Sequence, residues 1–92
     1  MIIDVTHIIL GDVRAGGRVG GQAARAAIRA WLEENVGQYY GIETGITNER
    51  QIGSGWEFGS SCEDAGGGYL KIGWIVDIAD PQLATMFMLR FA

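Results

Sequence analysis

The chain has 92 residues, 48% of them hydrophobic, with a net charge of −4 and a lone cysteine. At this length we expect one domain, 1–92, in which folding buries about 60–65% of the surface the unfolded chain exposes; the apolar content excludes intrinsic disorder, and one thiol excludes an internal disulfide. No apolar run approaches the roughly 18–20 residues of a bilayer span, and the N-terminus lacks a basic flank and cleavage site, so the expectation is a soluble cytoplasmic protein with no membrane association.

Ile2–Leu10 is rich in β-branched residues and alternates loosely, with Ile3, Val5, His7 and Ile9 on one face, which predicts a strand covered on both sides. Gly11 to Gly21 has the composition of a loop. From Gln22 to Val36 the pattern turns helical: Ala24, Ala27, Ile28, Trp31 and Leu32 form a stripe of the width a helix needs to lie on a sheet, and Gly37 supplies a stop. In the second half Tyr40, Ile42, Thr44 and Ile46 alternate, Thr47–Arg50 has turn chemistry, and Gln51–Ser60 resumes extended character, which predicts a hairpin. Ser60–Gly68 reads as a polar, glycine-rich connection. Leu70, Ile72, Trp74, Val76 and Ile78 then give the cleanest period-two signal in the chain. Asp80-Pro81 has the form of a helix start, yet Phe87, Leu89 and Phe91 alternate with Met86, Met88 and Arg90, which favours a single turn at Asp80–Ala84 and a terminal strand. The order β-α-β-β-β-β predicts an α+β, two-layer fold: a mainly antiparallel sheet of 4–5 strands with one helix packed on it.

Charge is unevenly distributed. Residues 1–30 carry Arg14, Arg18, Arg25 and Arg29 against Asp4 and Asp12, for +2, whereas residues 31–92 carry three basic against nine acidic residues, for −6. Arg25 and Arg29 stand one helical turn apart with Gln22 beside them, which makes a basic stripe, and two like charges at that spacing cost a few tenths of a kcal/mol unless something uses them. Gly16–Gly21, placed before a helix N-terminus and flanked by Arg14 and Arg18, is a candidate anion cradle. It lacks the Lys-Ser/Thr pair of a P-loop and the spacing of the dinucleotide fingerprint. The simpler reading of these glycines is a connection that permits a tight approach to the helix. Ala23, Ala26 and Ala30 form a small-residue flank suited either to self-association or to plain exposure.

No catalytic or metal signature accompanies these features. His7, the sole histidine, lies among apolar residues and reads as a core or edge side chain. Cys62 precedes Glu63 and Asp64, whose charge opposes thiolate formation, so neither a Cys–His dyad nor a zinc site is expected. Trp31, Trp56, Trp74, Phe87 and Phe91 read as core. Glu57, Glu63, Asp64, Asp77 and Asp80 read as an acidic surface able to occupy a positively charged groove on another protein. The expectation is therefore a small, acidic, non-enzymatic interaction protein without cofactor. It would bind a protein partner or itself and not nucleic acid directly, in the manner of a phage or mobile-element accessory inhibitor that occludes a basic surface of a host protein. The alternative is a small-anion or nucleotide sensor built on the Gly16–Gly21 loop. In either case Arg14, Arg18, Arg25 and Arg29 are the candidate partner- or anion-binding residues.

Overall fold

A computed structural model describes residues 1–14, 21–45 and 48–91, with side chains described throughout except at 13–14, 61–65 and 69–72. Its elements are β1 (Ile2–Asp4), α1 (Thr6–Arg14), α2 (Gln22–Asn35), β2 (Tyr39–Thr44), β3 (Glu49–Gly53), β4 (Trp56–Gly66), β5 (Tyr69–Ile78) and α3 (Pro81–Phe91). The five strands form one antiparallel sheet in the order β1-β5-β4-β3-β2. Helices cover one of its faces, giving the expected two-layer α+β architecture, with three helices where the sequence pattern predicts one. The core joins alternate sheet residues Trp56, Phe58, Val76 and Ile78 to Val5 and Ile9 of the first helical segment, Ile28 and Leu32 of α2, and Ala84 and Phe87 of α3. Among the described residues no helix is long and apolar enough to cross a membrane.

The predicted strand Ile2–Leu10 stops after three residues, and the reason is a side chain that imitates backbone. Val5 still donates its N–H to the Trp74 carbonyl at 2.9 Å, but at the next position the Thr6 hydroxyl accepts the Trp74 N–H at 2.9 Å. The Asp4 carboxylate meanwhile accepts the Thr6 N–H at 2.9 Å, the local bond that starts a helix. Val5 and Ile9, one turn apart, are both buried. His7, expected as a core or edge side chain of a strand, is exposed on α1. The predicted loop 11–21 is helical through Arg14; residues 15–20 lie outside the described residues.

α2 matches its predicted span within a residue, and Ile28 and Leu32 are its buried positions. Of the rest of the predicted stripe, Ala24 and Trp31 pack against the core while Ala27 is exposed. Gly37 follows the helix as expected, and its small size admits the close approach of Ser54. Its carbonyl accepts the Trp56 indole N–H at 2.8 Å.

The predicted single strand Gln51–Ser60 is two strands. Gly53 pairs with Trp56 across a tight turn in which Gly55 takes φ 79°, and the Trp56 ring lies where a Gly53 side chain would be. The predicted connection Ser60–Gly68 is strand as far as Gly66. Glycine, serine and acidic residues have little strand preference of their own; pairing with β5 along a long hairpin imposes it.

The predicted terminal strand is α3. Asp80 caps it, accepting the Gln82 N–H at 2.8 Å, and Pro81 occupies the first helical position. Phe87 meets Trp31 edge-to-face at 5.4 Å and Phe91 at 4.7 Å, while Leu89 is 77% exposed. Asp80→Ala should therefore cost about 1 kcal/mol, the usual worth of such a cap. Urea denaturation showing no loss would remove the cap from the account of this helix.

Candidate functional site

Among the described residues, three helices lie on one side of the sheet and none on the other. Strand pairing arranges this open face in two rows. One row runs Ile2, Asp77, Glu57, Ile52, Gly41 across β1, β5, β4, β3 and β2; the next runs Asp4, Ile75, Gly59, Arg50, Glu43. The rows hold four carboxylates and one guanidinium among exposed apolar side chains, Ile2 and Ile75 being 69% and 36% exposed. Gly59, in the middle of the second row, presents no side chain, and the position a Cβ would take is filled by the Glu49 carbonyl and the Arg50 backbone. A cleft on this face encloses about 530 Å³, bounded by Ile2, Glu43, Arg50, Glu57, Ile75 and Asp77.

Its electrostatics are asymmetric. Arg50 forks between Glu43 at 2.6 Å and Glu57 at 3.7 Å. The hydrogen bond with Glu43 and the charge of Glu57 raise the pKa of this guanidinium, which stays protonated throughout. Glu57 and Asp77 stand directly opposite one another in the pairing of β4 with β5. Two like charges in that position oppose sheet formation. Each has one cationic neighbour, Arg50 for Glu57 and the N-terminal ammonium at 3.2 Å for Asp77. Both carboxylates remain over two-fifths exposed.

The four arginines singled out in the sequence lie elsewhere. Arg14 closes α1 with its side chain outside the described residues, and Arg18 falls outside them altogether. Arg25 and Arg29 do share a flank of α2, but they reach down over the sheet instead of forming a solvated stripe. Arg25 lies over the Trp74 ring at 5.3 Å and within 3.8 Å of Glu49. Arg29 stacks on Tyr39 at 3.8 Å and bonds Glu33 at 3.2 Å. The N-terminus of α2 has an anion of its own, because the Asp12 carboxylate accepts the Ala24 N–H at 3.3 Å.

Of the acids considered for the acidic surface, the structure brings Glu57 and Asp77 together. Asp80 caps α3, and the side chains of Cys62, Glu63 and Asp64 are outside the described ones. Glu43, Arg50 and the isoleucines of the open face were missed in the sequence. Their signal was the alternation of Trp56 and Phe58 with Glu57 and Gly59, and of Val76 and Ile78 with Ile75 and Asp77. Among the described residues no cluster of three or more histidine, cysteine or acidic side chains is placed to hold a metal ion. Comparison with known proteins finds no matching family model, no matching curated protein and no matching solved structure.

Proposed function

We propose that this is a non-catalytic interaction protein that receives a basic protein surface on the open face of its sheet and acts by occluding it. The observation that carries the reading is the pair of cross-strand rows, in which Glu43, Glu57 and Asp77 line a cleft edged by Ile2 and Ile75. Carboxylates offer attraction and orientation to lysine or arginine, and the isoleucines offer apolar area to the stems of those side chains. The same charges repel nucleic-acid phosphates, which makes a protein the fitting partner. An inhibitory role, of the kind a phage or mobile-element accessory protein plays against a host factor, follows where the occluded surface is one that otherwise meets nucleic acid. The Gly16–Gly21 anion cradle is the weaker reading, since Asp12 already supplies a carboxylate to the first turn of α2.

The test uses an arginine-rich peptide as a defined basic probe. Glu57→Gln with Asp77→Gln should weaken its binding about tenfold or more, whereas Glu33→Gln with Glu34→Gln, an equal change in net charge on α2, should not. The sheet-face pair should also leave stability unchanged or raise it by about 0.2–1 kcal/mol, because it relieves a like-charge cross-strand contact. Equal weakening by both pairs would mean that net charge alone attracts the peptide, and the open face would lose its assignment.

A further inference from the structure

On the helical side a second groove opens between α2 and β3. It encloses about 470 Å³ and is lined by Arg25, Ala26, Arg29, Ala30, Glu33 and Gln51. Gln51 points to the helical side because it pairs with Phe58, a core residue, and it is the one charged or polar residue among the buried ones described, 9% exposed. Two buried polar atoms at this groove have no hydrogen-bond partner: the Arg25 Nε, a donor, and the Gln51 Oε1, an acceptor. Native chains rarely leave such groups unpaired, and a site awaiting a ligand is one reason for it.

The arginines are held in a way that suits this. Trp74 lies under Arg25 and Tyr39 under Arg29; the Arg29 Nε–H goes to Glu33 at 3.2 Å, and the terminal N–H groups of Arg29 and the Nε–H of Arg25 are left to meet an acceptor. Glu49 stands 3.8 Å from the Arg25 guanidinium, beyond hydrogen-bond reach, so its charge holds the side chain in place without consuming a donor. Ala26 and Ala30, one turn apart, keep the helix wall low between them.

We infer that this groove binds a phosphate group that retains one proton. Its unprotonated oxygens accept from the Arg25 Nε–H and the Arg29 guanidinium, and its P–O–H donates to the Gln51 Oε1. Sulfate has the same size and shape but carries no proton at neutral pH, so it leaves the Gln51 acceptor unpaired and binds less well. The volume exceeds that of a phosphate ion; inorganic phosphate retains a proton at neutral pH, whereas a phosphate monoester, with its second pKa at about 6, offers the required P–O–H only at mildly acidic pH. This site lies on the opposite side of the sheet from the face proposed above, and either assignment can fail without the other.

Thermal unfolding at constant ionic strength tests it, with inorganic phosphate, sulfate and adenosine monophosphate as probes. Phosphate in about tenfold excess over its Kd should raise Tm by about 4 °C or more, and sulfate at the same concentration by less than half of that. Adenosine monophosphate, mostly a dianion without the P–O–H proton at about pH 7.5, should behave there like sulfate, and a shift at that pH equal to or larger than that of inorganic phosphate would overturn the role given to the proton. Gln51→Leu removes an acceptor that has no partner while keeping the side chain's bulk, so the unliganded protein should be no less stable, yet the phosphate shift should vanish. Arg29→Gln, at a partly exposed position, provides the same readout should Gln51→Leu fold poorly. Equal shifts with phosphate and sulfate, a phosphate shift that survives both substitutions, or no shift up to saturating phosphate would each overturn the proposal.

Discussion

Phe87→Ala is expected to remove about 3–5 kcal/mol from the unfolding free energy, as deletions of large buried aromatics do, while Leu89→Ala, two residues away, should cost less than about 0.5 kcal/mol. Phe87 is enclosed by the Trp31 ring at 5.4 Å and the Phe91 ring at 4.7 Å and is 1% exposed; Leu89 points into solvent. The loss at Phe87 is a large share of the about 5–15 kcal/mol that small domains possess, so the variant should unfold at much lower denaturant. The contrast carries the information. A strand over these residues would put Phe87, Leu89 and Phe91 on one face, and both alanine variants would then be costly. A helix separates Phe87 and Phe91, one turn apart, from Leu89. Guanidinium melts of the two variants decide between these, and comparable losses would return the C-terminal segment to a strand.

That segment and the start of the chain were misread for the same physical reason. A short apolar run with every second residue apolar satisfies both periods, and the deciding contacts are capping bonds made by side chains at its boundary. At the C-terminal end the boundary was visible, because Asp80-Pro81 is a start signal, and the alternation beyond it was given too much weight. At the N-terminal end it was hidden: the Thr6 hydroxyl ends the strand only because Trp74, far along the chain, is opposite it. α2 and β5 were legible because their patterns run long enough to fit one period only. The far half of β4 was not, since its residues become strand through their partner.

The candidate sites divide in the same way. A helical wheel correctly groups Arg25 with Arg29 but does not tell what lies beneath them: Trp74 under one, Tyr39 under the other, and Gln51 of β3 across the groove. Alternation marks Glu57 and Asp77 as pointing away from the core, yet their meeting depends on a register shift between Asp64 and Gly66. Continued from the Gly66–Tyr69 pair without that shift, the hairpin would set Phe58 opposite Asp77 and mix the two faces. The one-residue irregularity restores the match, so that Phe58 faces Val76 and Glu57 faces Asp77. Burial of the aromatic face thus imposes the like-charge contact on the other face.

Gly21→Ala is expected to cost about 3 kcal/mol, and Gly55→Ala is its control. Both glycines have left-handed backbones, φ 65° and φ 79°, for which any L-residue pays about 1–2 kcal/mol. Their surroundings differ. A methyl group at Gly55 would meet only Val36, at 3.5 Å, whereas at Gly21 it would come within 2.6 Å of the Ile9 Cγ2 and 2.8 Å of the Ile9 carbonyl oxygen. Relief of that contact requires α1 and α2 to move apart, and overpacking of this kind costs about 1–3 kcal/mol more. The difference between the two variants therefore measures the seating of α1 against the first turn of α2. That seat fixes where α2 crosses the sheet, and with it the placement of Arg25 and Arg29 beside Gln51. Gly21→Ala should consequently weaken the response to phosphate as well as stability, while Gly55→Ala should lower stability alone. Equal losses in urea denaturation with an unaltered phosphate response would show that the two helices do not meet at Gly21 as described.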